Sequence, residues 1–137
     1  MSSELIVDEL TGRASAGSIA VTAEGGTVTT SLQQGLCKSW MNINGTGTIA
    51  IRDSFNFASI ADRGTGLYTQ NISSAMSSTN FACTGDAKDE AGVASGRNRM
   101  VINEPDDTTQ VLTNTFDTNG NPDDCGYISS ITMGDLA

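Results

Sequence analysis

The chain contains no histidine. That removes the usual general base near neutral pH, the commonest metal ligand, and any Ser–His or Cys–His nucleophile pair. Cations are scarce as well: 7 Lys and Arg stand against 16 Asp and Glu, a formal net charge of −9 over 137 residues. Arg13, Lys38, Arg52, Arg63, Lys88, Arg97 and Arg99 are scattered. Only Arg97-Asn98-Arg99 places two close together, and Asp86, Asp89 and Glu90 precede them. Neutralising a phosphate backbone takes clustered Lys and Arg, so no nucleic acid is expected as a partner. The same charge disfavours an anionic membrane surface, and no apolar run approaches the roughly 20 residues that span a bilayer, so no membrane is expected either. Met1-Ser2-Ser3-Glu4 has neither the basic region nor the apolar stretch of a secretory signal. The expectation is a protein kept in a cytosol, or exported without a cleaved signal.

Aromatic residues make up only 5% and charged residues 17%, whereas the chain holds 15 Ser, 17 Thr, 10 Asn and 15 Gly. These small, turn-prone residues are poor helix material and suit a β-rich fold with many turns. The length fits one core, with room for an extended arm. Three cysteines, Cys37, Cys83 and Cys125, are not the even framework of a small secreted domain. They are expected to be small buried hydrophobes; Cys83 and Cys125, both in strand-like segments, could pair if the fold brought them together. With no CxxC and no His, a zinc site is excluded.

Residues 1–36 read differently from the rest. Glu4-Leu5-Ile6-Val7-Asp8-Glu9-Leu10 is a short apolar run with charged ends; Ile19–Thr22 and Thr27–Thr30 are further strand candidates, and Ser31–Gln34 is a weak helix cut short by Gly35. These runs are too short and too sparsely apolar to make a core alone, which points to an N-terminal arm for assembly over 1–36. From residue 37 the β signals become continuous. Trp40–Ile43 precedes an Asn44-Gly45 turn, a strong hairpin cue. Thr48–Ile60 then reads as one strand, with Ile49, Ile51, Phe55 and Phe57 on one face and Asp53 out of place among them. Asp62–Gly66 turns into Leu67–Ile72, where Tyr68 and Ile72 share a face. Ser73–Thr79 is a loop, Asn80–Cys83 a strand, and Thr84–Gly96 a polar acidic loop. Arg99–Ile102 is a strand, Glu104–Asp107 a turn, Thr109–Phe116 a strand, and Cys125–Met133 the last strand. About seven short strands with turn-rich joints predict an all-β antiparallel sandwich or jelly roll over 37–137, preceded by the extended arm.

Asp117-Thr118-Asn119-Gly120-Asn121-Pro122-Asp123-Asp124 is the most site-like stretch, its alternating oxygen ligands resembling a calcium loop. Pro122 and Ile128 stand where an EF-hand needs Gly and Glu, so an acidic turn is the reading, with a weak calcium site shared with Asp106 and Asp107 as the alternative. The pairs Asp106/Asp107 and Asp123/Asp124 are read as solvated rather than glycosidase acids. Asp53 is expected to pair with Arg52 or Arg63, or to mark a bend. Gly45-Thr46-Gly47 and Gly64-Thr65-Gly66 lack the Lys and the helix start of a phosphate loop and are turns. Asn44-Gly45-Thr46 and Asn71-Ile72-Ser73 match the glycosylation pattern by chance. Trp40 is expected in the core or packed on a sheet, with an interface as the alternative. No catalytic, cofactor-binding or metal residue is assigned, and no cofactor.

The segment from Lys38-Ser39-Trp40-Met41-Asn42-Ile43-Asn44-Gly45-Thr46-Gly47 through Thr48-Ile49-Ala50-Ile51-Arg52-Asp53-Ser54-Phe55-Asn56 continues to Asp62–Thr69 and Asn80-Phe81-Ala82. It resembles a family of bacteriophage structural proteins, common in phages of marine bacteria and cyanobacteria and often labelled tail fibre or virion protein. The leader residues Val7–Gly12, Ala16–Ile19 and Leu32–Leu36, and the Gly134-Asp135-Leu136-Ala137 ending, are similar to short members of that family; 85–124 matches least. The resemblance implies a non-enzymatic virion structural protein, assembled in the host cytoplasm, and most simply a tail fibre or tail-associated appendage. A capsid head decoration or cement protein is the alternative. It further implies a homo-oligomer, with a homotrimer favoured among closed rings, contacts to other phage virion proteins, and a host surface receptor as a further partner. A polysaccharide depolymerase, the enzymatic reading, ranks last for want of His or a recognisable acid pair.

Overall fold

The computed structural model describes residues 4–13, 19–22, 24–89 and 99–137. The chain divides into two units, Met1–Leu36 and Cys37–Ala137. In the first, β1 (Ala20–Thr22) and β2 (Thr29–Ser31) form a two-stranded antiparallel ribbon, Ala20 opposite Ser31. A single helical turn, α1 (Leu32–Gly35), follows, its N-terminus capped by the Ser31 hydroxyl accepting from Gln34 N. Residues 4–10 have no strand partner, and Leu5, Ile6, Val7 and Leu10 are 53–83% exposed. The unit has no buried side chain among its described residues, as its sparse apolar runs require.

The second unit is a β-sandwich of two four-stranded antiparallel sheets. Its strands are β3 (Cys37–Asn44), β4 (Ala50–Phe55), β5 (Phe57–Gly64), β6 (Leu67–Ile72), β7 (Ala82–Lys88), β8 (Met100–Asp107), β9 (Gln110–Phe116) and β10 (Tyr127–Met133). The first sheet runs β4-β3-β10-β7 and the second β5-β6-β9-β8. The inner faces supply Met41, Ile43 and Ile128 from one sheet and Phe57, Tyr68, Ile72 and Val111 from the other, closed by Met76, Phe81, Ala87 and Cys125.

Much of the interior is polar. Ser39, Gln70, Thr113, Thr115, Ser130 and Thr132 are all buried to within 1%. Each is paired, which offsets the cost of burying it. The Ser39 and Thr132 hydroxyls bond each other across β3 and β10. Gln70 ties the sheets together: its Oε1 accepts from Ser130 of the first sheet, and its Nε2 donates to Thr113 of the second at 2.7 Å. Thr113 in turn donates to Asn103 Oδ1 at 2.6 Å.

The run expected as one strand over 48–60 is two strands in different sheets. The chain crosses at Asn56, which holds a left-handed φ of 57°. Its side chain fastens the corner: Nδ2 donates to Lys38 O at 3.0 Å and to Ser74 O at 3.3 Å, and Oδ1 accepts from Ser74 N at 2.8 Å. A second departure lies just upstream. Asn42 pairs with Asp53, but Ile43 pairs with Ile51, so Arg52 is an extra residue in a β-bulge. A one-residue insertion inverts the alternation beyond it. Ile51 therefore faces the core beside Ile43, whereas Asp53 and Phe55 turn outward and Ser54 takes the inner place opposite Met41.

Two further segments read as loop or turn are strand. Thr84–Lys88 continues β7, anchored by pairing of Gly85, Asp86, Ala87 and Lys88 with β10, and residues 90–96 of that expected loop lie outside the described residues. Glu104–Asp107 ends β8. Pro105 is tolerated there because β8 is an edge strand, and a register shift follows it.

Candidate functional site

Four connections gather at one end of the sandwich: the loop after β3, the β5–β6 turn, the residues flanking 90–98, and the acidic loop between β9 and β10. They bring together Gly45, Gly66, Tyr68, Asp89, Arg99, Asp123, Asp124 and Cys125. Tyr68 rises from β6 through the core, fully buried, and donates to Asp124 Oδ1 at 2.8 Å and towards Gly45 O at 3.2 Å. Gly66 N donates to the same Asp124 oxygen at 2.6 Å. Burial above all, and then the Asp124 carboxylate, holds the Tyr68 phenol well above its ordinary range, so it stays a neutral donor.

The backbone fits only glycine at two places here. Gly66 has φ 66°, and a Cβ on it would lie 2.4 Å from Thr115 O; a Cβ on Gly45 would lie 2.5 Å from the Tyr68 hydroxyl. Close by, Arg99 grips Asp89 through Nε at 3.0 Å and Nη2 at 2.7 Å, and reaches Asp123 Oδ2 with Nη1 at 2.9 Å. One guanidinium thus fastens the end of β7, the start of β8 and the acidic loop. Of the basic pair read in the sequence, Arg99 is committed to these carboxylates, and Arg97 lies outside the described residues.

Within the acidic loop, Asp117 spends its oxygens on the loop itself. Asp117 Oδ1 accepts from Asn119 N at 2.8 Å and Asn121 N at 2.9 Å, and Oδ2 accepts from Asn121 Nδ2 at 3.1 Å. The Asn121 bonds, the side chain's first, draw its pKa below the usual carboxylate range. Asp106 and Asp107, the remaining ligands of a shared calcium site, lie at the far end of β9; Asp107 caps the β8–β9 turn by accepting from Thr109. Among the described residues, no three Cys, Asp or Glu side chains are grouped to hold a metal ion.

Asp53 accepts from Ser54 N at 2.9 Å on the exposed side of the bulge, which makes it the bend marker. Neither expected arginine partners it: Arg52 donates to Ile43 O, and Arg63 donates to Thr69 Oγ1. The cysteines are not three buried hydrophobes. Cys125 is buried and Cys83 half-buried, burial raising both thiols, but Cys37 is exposed. All three are free. Pairing of Cys83 with Cys125 fails on register: Cys83 sits opposite Thr132, whereas Cys125 precedes Tyr127 at the other end of β10.

A second constellation covers the outer face of the first sheet, and only its Trp was anticipated. Trp40 is not in the core. It stands half-buried between Phe55 on β4 and Ile131 on β10, which are 53% and 44% exposed, with Met133 40% exposed further along. At the opposite end of the same face the Tyr127 ring lies between Arg52, 3.9 Å from its centroid, and Lys88, at 4.4 Å. Two of the chain's seven cations therefore share one ring on a face that also carries its most exposed aromatic side chain.

The class defined by this structure is an all-β sandwich of two antiparallel four-stranded sheets. No family model matches the sequence, no curated protein matches it, and no solved structure matches the fold.

Proposed function

We propose that this chain is a non-enzymatic structural protein of a bacteriophage particle, a tail fibre or tail-associated component that works as a homo-oligomer. The observation that carries the reading is where its chemistry is spent. Asp117, Asp123 and Asp124 hold their own loops and neighbours, while Phe55, Ile131, Met133 and Leu5–Leu10 are displayed outward. Carboxylates bound this way serve shape, and exposed apolar side chains gathered on a sheet face serve contact. The resemblance of 38–56, 62–69 and 80–82, with the leader and the ending, to phage virion proteins supplies the setting.

Gold-labelled antibody on intact particles tests the location: label on the tail is expected, and label confined to the head overturns it. The displayed leader favours head decoration as the second reading, since a segment with no strand partner suits threading along capsid subunits. A copy number matching the capsid lattice decides for that reading, and a few copies per particle decide against it. Polysaccharide cleavage by the purified protein, lost in Asp124→Asn or Asp53→Asn, would overturn both.

A further inference from the structure

The bulge at Arg52 has a cost and a product. Without the extra residue Phe55 would continue the inward alternation of Ile51; with it, a large aromatic side chain is turned out to solvent, 53% exposed. Bulges re-aim side chains where a surface has a use. Here the re-aimed ring joins Trp40 and Ile131 in one row across three neighbouring strands. The cation pair Arg52 and Lys88 marks the other end of the face, at Tyr127. Ile131 and Tyr127 are four residues apart on β10, hence about 13 Å at the rise of an antiparallel strand.

An occupant must then be extended, apolar at one end, and acidic about 13 Å further on. The segment Leu5-Ile6-Val7-Asp8-Glu9 has that form. When it is extended, Leu5, Val7 and Glu9 fall on one side, and Glu9 lies four positions beyond Leu5, the same span. Its apolar side chains stand exposed and its backbone has no strand partner. We propose that the leader of a second copy of this chain docks on the outer face of the first sheet. Leu5 and Val7 pack on Phe55, Trp40 and Ile131, and Glu9 reaches the Arg52–Tyr127–Lys88 group. The inference rests on the reading of the chain as a self-assembling structural protein and names the surface that assembly uses. It also accounts for how a subunit of net charge −9 meets its own kind: an acidic segment of one copy lands on two of the few cations of the next.

Sedimentation velocity on the full chain, with emission of Trp40, the only tryptophan, tests this. Wild type is expected to assemble with a blue shift of Trp40 emission as concentration rises. Val7→Asp on the leader and Ile131→Asp on the face should each weaken assembly by at least about tenfold and abolish the shift. Both positions are exposed, so circular dichroism should not change. Ile102→Asp, 39% exposed on the second sheet, should assemble as wild type. Mixing Val7→Asp with Ile131→Asp chains should restore a pair, since one supplies an intact face and the other an intact leader. Glu9→Lys should weaken assembly, and Lys88→Glu in the same chain should recover it. A wild type that stays monomeric overturns the self-assembly reading itself. A wild type that assembles, alongside Val7→Asp and Ile131→Asp chains that assemble equally well, overturns this surface alone.

Discussion

The corner at Asn56 is where the fold is most exposed to a single change, and two substitutions separate its causes. Asn56 supplies a side chain that tolerates φ 57°, and three hydrogen bonds that clasp Lys38 and Ser74. Replacing it with Gly keeps the backbone free to turn left-handed but removes the clasp. At about 1 kcal/mol per bond, and less for the two exposed bonds to Ser74, that loss is about 2 kcal/mol, to which glycine's greater freedom in the unfolded chain adds about 0.5 kcal/mol. Replacing it with Ala removes the same bonds and forces a Cβ into the left-handed region, a further 1–2 kcal/mol or so. The expected losses are therefore about 2.5 kcal/mol for Asn56→Gly and about 3.5 kcal/mol for Asn56→Ala.

In a sandwich of this size 1 kcal/mol corresponds to roughly 5 °C in Tm. Melting followed by far-ultraviolet dichroism should thus place Asn56→Gly roughly 12 °C below wild type and Asn56→Ala roughly 5 °C below that. Urea titration at 25 °C supplies the same free energies independently. Asn56→Ala as stable as Asn56→Gly would refute the argument from φ, because the clasp would then be the whole effect. Both variants within about 2 °C of wild type would refute the corner's importance altogether.

Three other outcomes test Tyr68, Asp117 and the thiols. Tyr68→Phe removes a buried donor to a carboxylate and should cost about 2 kcal/mol at neutral pH; because folding raises the Tyr68 pKa, the wild type's advantage is complete below pH 10, the unfolded tyrosine's range, and should shrink as pH climbs beyond it. A gap independent of pH between 8 and 11 refutes the burial argument. Folding lowers the Asp117 pKa, so its contribution is present above the ordinary Asp value near 4 and is lost as pH falls below it; the Tm of Asp117→Asn should therefore decline less than that of wild type between pH 5 and 3. A thiol reagent at pH 8 should modify Cys37 rapidly, Cys83 slowly and Cys125 only after unfolding, read by peptide mass; prompt modification of Cys125 contradicts its burial.

Much of the sandwich was legible because strand alternation is a local property. Tyr68 and Ile72 share the inner face as their spacing requires, and the glycine turn falls between two strands at Thr65–Gly66, although β5 runs on through Asp62–Gly64, which read as turn. What escaped depends on non-local pairing. The 48–60 run has strand chemistry throughout, and only its place in two sheets, with Asn56 turning between them, breaks it. The odd position of Asp53 was the one local sign of the bulge: an acid in the inward phase marks the point where the phase inverts. Glu104–Asp107 carries turn residues and still pairs, because an edge strand needs bonds on one side only. The Arg52–Tyr127–Lys88 group was beyond sequence reading, since its members are 36 or more positions apart from one neighbour to the next and only the β4–β3, β3–β10 and β10–β7 registers align them.

These departures share a physical direction. The interior uses Ser, Thr and Gln where Val, Ile and Leu would have served, and the outer face of the first sheet keeps Phe, Trp, Ile and Met where polar side chains would have served. For a domain built to remain alone, both choices are costly: paired hydroxyls contribute less than buried methylenes, and exposed aromatics invite association. The two are consistent if the subunit gains part of its stability in contact with others. An interior of paired hydroxyls and the Gln70 bridge fixes the register and separation of the two sheets, which a uniformly apolar core would leave less specified. With the sheets so fixed, the Phe55–Trp40–Ile131 row and the Tyr127 cations are held at a constant spacing on a rigid surface. Constant spacing is what an extended segment, with its own invariable rise per residue, needs in order to be recognised.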